Sequence, residues 1–265
     1  MANRDNHIKQ ATFAALLLVA MLCAIFAWGD QGKKGPVITD KTLVAWVYPA
    51  NLRQRGGSVL TLENPGGEFD AIVFGEIQRA KWMAGSDFLR RTQKQQDNYP
   101  TETADTNTLV QVVIAYRGKD VSIYRNGKPY ANYTMENDPA AFTGESIVLM
   151  GLRHLDAGGG RYFFGSIEDA RIYGAPLDLA TITLLKPNER LGPEPLAWWS
   201  FNNGKAEDRM KRFPVGHLVG RAKIADGRLH LNGGYMMVGG EPPRDRASED
   251  WPTYHVTALP EEGLC

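Results

Sequence analysis

The stretch DVSIYRNGKPYANYT, residues 120–134, decides the fold class. Val121 and Ile123 alternate with Ser122 and Tyr124, the period-2 pattern of a half-buried strand. Asn126 and Gly127 follow, two residues that tolerate positive φ, as a two-residue type I′ hairpin turn requires. The stretch therefore reads as two antiparallel strands joined by the tightest common turn.

Working outward, the same grammar repeats. TLVQVVIAY (108–116) is apolar on both faces, with Val110, Val112, Ile114 and Tyr116 on one side and Leu109, Val113 and Ala115 on the other. Such a strand belongs in the interior of a sheet covered on both sides. TLVAWVY (42–48), GSVLTLE (57–63) and FDAIVFG (69–75) precede it, and SIVLMG (146–151) and RYFFGSIEDARIYG (161–174) follow, each bounded by Gly, Pro or Asn. LDLATITLLK (177–186) reads as a short helix or turn, and PNERLGPEP (187–195) as a linker.

Composition agrees with an all-β chain. The 28 Gly and 15 Pro of the 265 residues are spread between short β-branched and aromatic runs, and 43% hydrophobic residues can supply a real core. Thirty basic residues balance thirty acidic ones, so no overall field draws the chain to nucleic acid. Cys23 and Cys265 are the only cysteines and neither can staple the body of the domain. Residues 1–35 read as an address rather than fold. Arg4 and Lys9 precede the apolar run ATFAALLLVAMLCAIFAW (11–28), which directs the chain across a membrane. A small-residue site at residues 27–29 suits cleavage as a signal peptide, while the length of the run suits an anchor; both readings place the rest outside the cytoplasm, secreted, periplasmic or held at the outer face of the membrane.

Several of these segments carry a family resemblance. VVIAYRGKDVSIYRNGKPYANY followed by YFFGSIEDARIYGAPLDLATI resembles the laminin-G-like, concanavalin A-like jelly roll of secreted bacterial proteins, and LVAWVYPA resembles its W-V-x-P strand. The resemblance covers about residues 42–186 and implies a β-sandwich; the fold serves binding, adhesion and hydrolysis alike. One departure is informative. A segment of the type W-x-F-(D/N), ending in G-x-L-x-L-(D/N)-G, precedes the W-V-x-P strand in the family, but here it comes last, as LAWWSFNNG through GRLHLNGGYMMVG (196–239). This order implies a circularly permuted sandwich over residues 36–240, with 196–240 supplying displaced first strands. The alternative is a second, incomplete repeat. The tail, residues 241–265, ends in WPTYHVTALPEEGLC, which resembles the lead-in to a family 32 glycoside hydrolase domain, and reads as a tail or a linker to such a domain.

For chemistry, the segment FGEIQRAKWMAGSDFLRRTQKQQDNYPTET (74–103) is too long for a hairpin loop and concentrates Trp82, Asp87, Phe88, Arg90, Arg91, Gln95 and Tyr99. Sugar recognition wants an aromatic face for ring C–H groups together with carboxylate, amide and guanidinium partners for hydroxyls. Trp82, Asp87, Arg90 and Arg91, with Gln95 and Tyr99, are the candidate contacts. The alternative packs Trp82 in the core and leaves the arginines as solvated surface. At least two of Trp46, Trp198 and Trp199 are expected to fill the sandwich.

Concanavalin A-like glucanases place two carboxylates at alternate positions of one strand. Glu168 and Asp169 are adjacent and therefore expected on opposite faces, and Asp87 stands alone, so no catalytic residue is assigned. NNGKAED (202–208) and HLDAGGG (154–160) leave calcium open without an EF-hand pattern, and His7, His154, His217, His230 and His255 lack zinc spacing, so no metal ligand is assigned. The expected function is a non-catalytic carbohydrate-binding or accessory module with a glycan as partner. The alternatives are the front part of a family 32-type hydrolase, and a protein-interaction module.

Overall fold

The computed structural model describes residues 37–158 and 160–240. The apolar run, both cysteines, His7, His255 and the 241–265 tail lie outside the described residues. Among the described residues, fourteen strands form two antiparallel sheets: β1 (Lys41–Pro49), β2 (Gly57–Glu63), β3 (Phe69–Phe74), β4 (Trp82–Ser86), β5 (Val110–Arg117), β6 (Asp120–Arg125), β7 (Lys128–Thr134), β8 (Ile147–Met150), β9 (Gly165–Tyr173), β10 (Ala197–Ser200), β11 (His217–Val219), β12 (Lys223–Ala225), β13 (Arg228–Leu231) and β14 (Tyr235–Val238). Among the described residues there is one α-helix, α1 (Leu179–Leu184), capped by the Asp178 carboxylate, which accepts from Thr181 N.

An eight-stranded sheet runs β12-β13-β9-β1-β5-β6-β7, with β10 alongside β9; a six-stranded sheet runs β11-β14-β8-β2-β3-β4. Their facing residues make the core. Leu43, Ala45 and Val47 of β1 and Val110, Val112, Ile114 and Tyr116 of β5 meet Leu60, Leu62, Ile72, Phe74, Val148 and Met150 across the sandwich. β5 lies between β1 and β6, the interior position its two-faced apolarity requires. At the β6–β7 hairpin, Asn126 (φ 49) and Gly127 (φ 68) both take left-handed conformations, and Arg125 pairs with Lys128. The two sheets and their antiparallel order are those of a concanavalin A-like jelly roll.

The segment 196–240 feeds both sheets. β10 and β13 share one edge of β9, opposite residues 169–172 and 165–167 respectively, while β14 pairs with β8 and carries β11 on its outer side. Trp199 is fully buried in the core, but Trp46 and Trp198 are buried on the opposite face of the eight-stranded sheet. There Val44, Trp46, Val113 and Tyr173 pack against Leu177, Ile182 and Leu185. Only one of the three tryptophans therefore fills the sandwich, because the α1 segment builds a second apolar layer outside it.

A second departure concerns Glu168 and Asp169. Trp46 pairs with Asp169 and Val47 with Ile167, so Glu168 is the extra residue of a β-bulge. The bulge breaks the simple alternation, and both carboxylates reach Asn188: Asn188 N donates to Asp169 Oδ2 (2.7 Å) and Asn188 Nδ2 to Glu168 Oε1 (3.1 Å). They share the outer face rather than opposing ones.

Candidate functional site

The long segment between β3 and β5 is more ordered than its sequence suggests. Residues 82–86 form β4, the edge strand beside β3. Gly85 obscures this strand in the sequence, yet packing demands it, since a Cβ there would collide with Val73 Cγ2. After Ser86 the chain turns through Asp87–Leu89 and crosses to the other sheet over residues 87–109.

Trp82 is wholly buried, tilted against Phe74 at 4.6 Å, and its Nε1 donates to Glu102 Oε2 at 2.8 Å. It offers no face to a sugar, which corrects the expectation. As an inward residue of an edge strand it does what large aromatics in sandwiches do: it fills the core. Glu102 also takes Arg125 Nη2 at 2.6 Å; burial works to raise its pKa, but the Arg125 and Trp82 hydrogen bonds outweigh this and hold it below the usual carboxylate range. The far end of the crossover is thereby tied to the β6–β7 hairpin.

Asp87 and Arg91 are also buried, and they bind each other instead of a ligand. Arg91 Nη2 meets Asp87 Oδ1 at 2.6 Å, Nε meets Asp70 Oδ1 at 2.9 Å, and Nη1 meets Glu68 Oε1 at 3.2 Å. Lys41, from the opposite sheet, reaches Asp70 Oδ2 at 2.8 Å and lies over the Tyr116 ring at 4.3 Å. Burial works against the Arg91 charge, yet the Asp70 and Asp87 carboxylates win and raise its pKa above the ordinary value. A cluster of this kind costs several kcal/mol to break because any member removed leaves its partner charged and dry.

This cluster is the base on which the next residues stand. Phe88 and Leu89 are both left-handed, φ 49 and 56, and the Phe88 ring is 87% exposed. Non-glycine residues pay about 1–2 kcal/mol each for that conformation. Arg90, exposed, lies 5.4 Å from the Phe88 ring. Tyr133 Oη and Asn137 Nδ2 donate to the carbonyls of Arg91 and Arg90, both at 2.7 Å, pinning the turn to β7 and the residues after it. Between the two walls, residues 88–95 and 133–137, runs an open groove of about 520 Å³.

Of the six expected contacts, the groove gathers Arg90, Gln95 and the buried Arg91. Asp87 sits beneath it, and Tyr99 is half-buried away from it, edge-on to Tyr130 at 5.7 Å, its pKa raised by burial to about 12. Phe88 supplies the aromatic face that Trp82 was expected to give. No local pattern in the sequence marks Phe88 out, because its exposure follows from the left-handed turn at residues 88 and 89 and the inward pairing of Asp87 with Arg91. Gln93, Lys94 and Glu136 complete a rim rich in donors and acceptors. Among the described residues no group of His, Cys, Asp and Glu is arranged to hold a metal ion.

Comparison with known proteins places this architecture. No curated protein matches the chain. Among solved structures, a protein of Bacteroides ovatus to which carbohydrate binding is ascribed aligns with a TM-score of 0.50 at 11% identity, over 77% of this chain and 54% of that one. The LG4-5 domains of mouse laminin α1 align with a TM-score of 0.40 at 10% identity (62% and 42%), and the sialidase carbohydrate-binding module of Ruminococcus gnavus, solved with sialyllactose, with 0.38 at 14% (54% and 80%). The chain thus spans about half the length of the Bacteroides ovatus protein and less than half of the laminin pair. The family model described as the concanavalin A-like lectin/glucanases superfamily, of the laminin G type, matches residues 34–183, more than half of the chain, and the protein belongs to that superfamily.

Proposed function

We propose that the protein is a non-catalytic, extracytoplasmic carbohydrate-binding or accessory module that holds a glycan in the groove beside Phe88. The observation that carries this reading is a strained, 87% exposed aromatic ring fixed on a buried ionic base at the mouth of a polar groove. A left-handed phenylalanine costs backbone energy, and this one has its side chain in solvent rather than in a core that would repay that cost, so the strain calls for a use. Ring C–H groups of a sugar would lie on Phe88, while Arg90, Gln95 and Asn137 would hydrogen-bond its hydroxyls. The fold shared with the Bacteroides ovatus protein supports a ligand of this class. Delivery across a membrane by residues 11–28, with or without cleavage, would put the groove where polysaccharides are met.

Affinity electrophoresis of the full chain through polysaccharide gels tests the site. Phe88→Ala with Arg90→Ala should weaken retardation at least about tenfold while leaving the melting temperature near that of the wild type. Retardation unchanged by the pair removes the groove as the site, and a wild type that no glycan retards removes the function.

A further inference from the structure

At the other end of β1 the outer face of the eight-stranded sheet carries a second polar constellation, and we propose that Tyr48, Glu168, Asn188, Arg228 and His230 form a separate site for a neutral, hydroxyl-rich sugar unit. This inference shares with the proposed function only the ligand class. Lys41 belongs to the base of the groove, and Tyr48 lies seven residues further along the strand, about 23 Å at the rise of an extended chain. Lys41 also points between the sheets, whereas Tyr48 points out.

Register builds the site. Tyr48 of β1 is opposite Ser166 of β9, and Ser166 is opposite His230 of β13, so the three stand in one row across the sheet. The bulge adds Glu168 to the same face. Its carboxylate accepts from Tyr48 Oη on one oxygen and from Asn188 Nδ2 on the other, both at 3.1 Å. Arg228 lies over the Tyr48 ring at 3.8 Å, donates to its hydroxyl at 3.1 Å and approaches Glu168 at 3.9 Å. Where α1 and its flanks pack on this sheet the outward residues are buried; here Glu168 keeps 19% and Arg228 37% of the side chain exposed.

The spare capacity defines the ligand. A carboxylate offers about four acceptor positions and a guanidinium five donors, and each spends only one or two of these within the cluster. Side by side, an acceptor and a planar donor suit adjacent hydroxyls of one sugar ring, which both give and take hydrogen bonds. A ligand with a fixed charge would meet a like charge on one of the two groups, which selects a neutral sugar. Burial, followed by the Glu168 charge, raises the Tyr48 pKa, so its hydroxyl remains a donor to Glu168 throughout the neutral range.

The test uses the full chain in affinity gels cast separately with xylan, arabinan and a neutral β-glucan. In a Phe88→Ala background, residual retardation by at least one of them is expected, and adding Glu168→Gln with Arg228→Met should weaken it at least about tenfold. Should that pair lower the melting temperature, Glu168→Gln alone, which keeps the side-chain shape, takes its place. Complete loss of retardation on Phe88→Ala overturns the second site and leaves the groove standing. So does residual retardation that Glu168→Gln and Arg228→Met do not change. A groove that fails, with binding that depends on Glu168 and Arg228, would instead leave this site as the one that works.

Discussion

Arg91 and Arg171 are both almost wholly buried and both held by carboxylates, yet their surroundings assign them opposite tasks. Arg171 lies between the Trp46 and Trp198 rings, at 4.8 and 4.5 Å, and meets Asp169 at 2.8 Å. Asp169 takes Trp198 Nε1 and Asn188 N as well, and Arg171 Nη2 donates to Lys186 O. Trp198, Asn188 and Lys186 all belong to the returning chain, 186–198, so the cluster fastens that chain to β9. Arg91 has the same chemistry, but its cluster stops one residue short of an exposed ring and a groove. Equal ionic clusters thus serve closure in one place and display in the other, and what separates them is whether the chain continues into a sheet or over its edge.

The largest effect should come from removing what Arg171 fastens. Ending the chain at Pro195 deletes β10 to β14, uncovers the edge of β9 and leaves Asp169 without Trp198. A chain that no longer melts cooperatively is the expected outcome, read by circular dichroism. A stable, cooperatively melting 36–195 fragment would instead make 196–240 a dispensable second unit and reduce the Arg171 cluster to decoration.

Next in size are the clusters themselves. Asp169→Ala and Arg91→Leu should each cost about 3–5 kcal/mol in urea unfolding, because each strands a buried charge. The comparison predicts that they differ in binding. Protein carrying Asp169→Ala, measured where it is still folded, should keep glycan affinity in the groove, whereas Arg91→Leu should lose it with the turn it supports. Equal loss in both would mean that stability alone controls binding.

This contrast also marks what could be read from residues alone. The hairpin at Asn126-Gly127, the two-faced β5 and the family-like strands are local signals, fixed by period and turn chemistry, and they appear in the structure where the pattern puts them. The site depends on three-dimensional facts with no local signature. Trp82 and Phe88 are both aromatic residues in a polar loop, and only the pairing of β4 with β3 decides that the first is core and the second display. The bulge that brings Glu168 beside Asp169 is set by β1, over a hundred residues away, and no alternation rule within β9 foretells it.

Glu63 sharpens the comparison from the opposite side, as a buried carboxylate without a cation. Among the described residues it has no ion pair; its Oε2 accepts from Leu155 N at 3.0 Å. Burial, with a smaller push from Asp156, raises its pKa from 4.5 to about 7. Between those values the folded chain keeps a proton that the unfolded chain has lost, so stability should fall as pH rises from 4.5 to about 7. His154, whose pKa burial pushes down, acts with the opposite slope, so the measurement is the difference between wild type and Glu63→Gln in urea midpoint across this range. The wild type should lose stability relative to the variant as pH rises; parallel curves would show that Glu63 is solvated in the native state.

The smallest effect on stability is expected at the centre of the site. Glycine takes φ 49 without the clash that phenylalanine suffers, so Phe88→Gly should relieve strain and raise stability by no more than about 1 kcal/mol, some of it lost again to the greater freedom of the unfolded chain. Binding should move the other way, by about tenfold, the worth of one aromatic contact. A residue whose removal helps the fold and harms the ligand is one kept for the ligand. If Phe88→Gly instead destabilises the protein by more than about 1 kcal/mol, the ring has a packing role that its exposure conceals, and the distinction between an arginine that closes and an arginine that displays loses its ground.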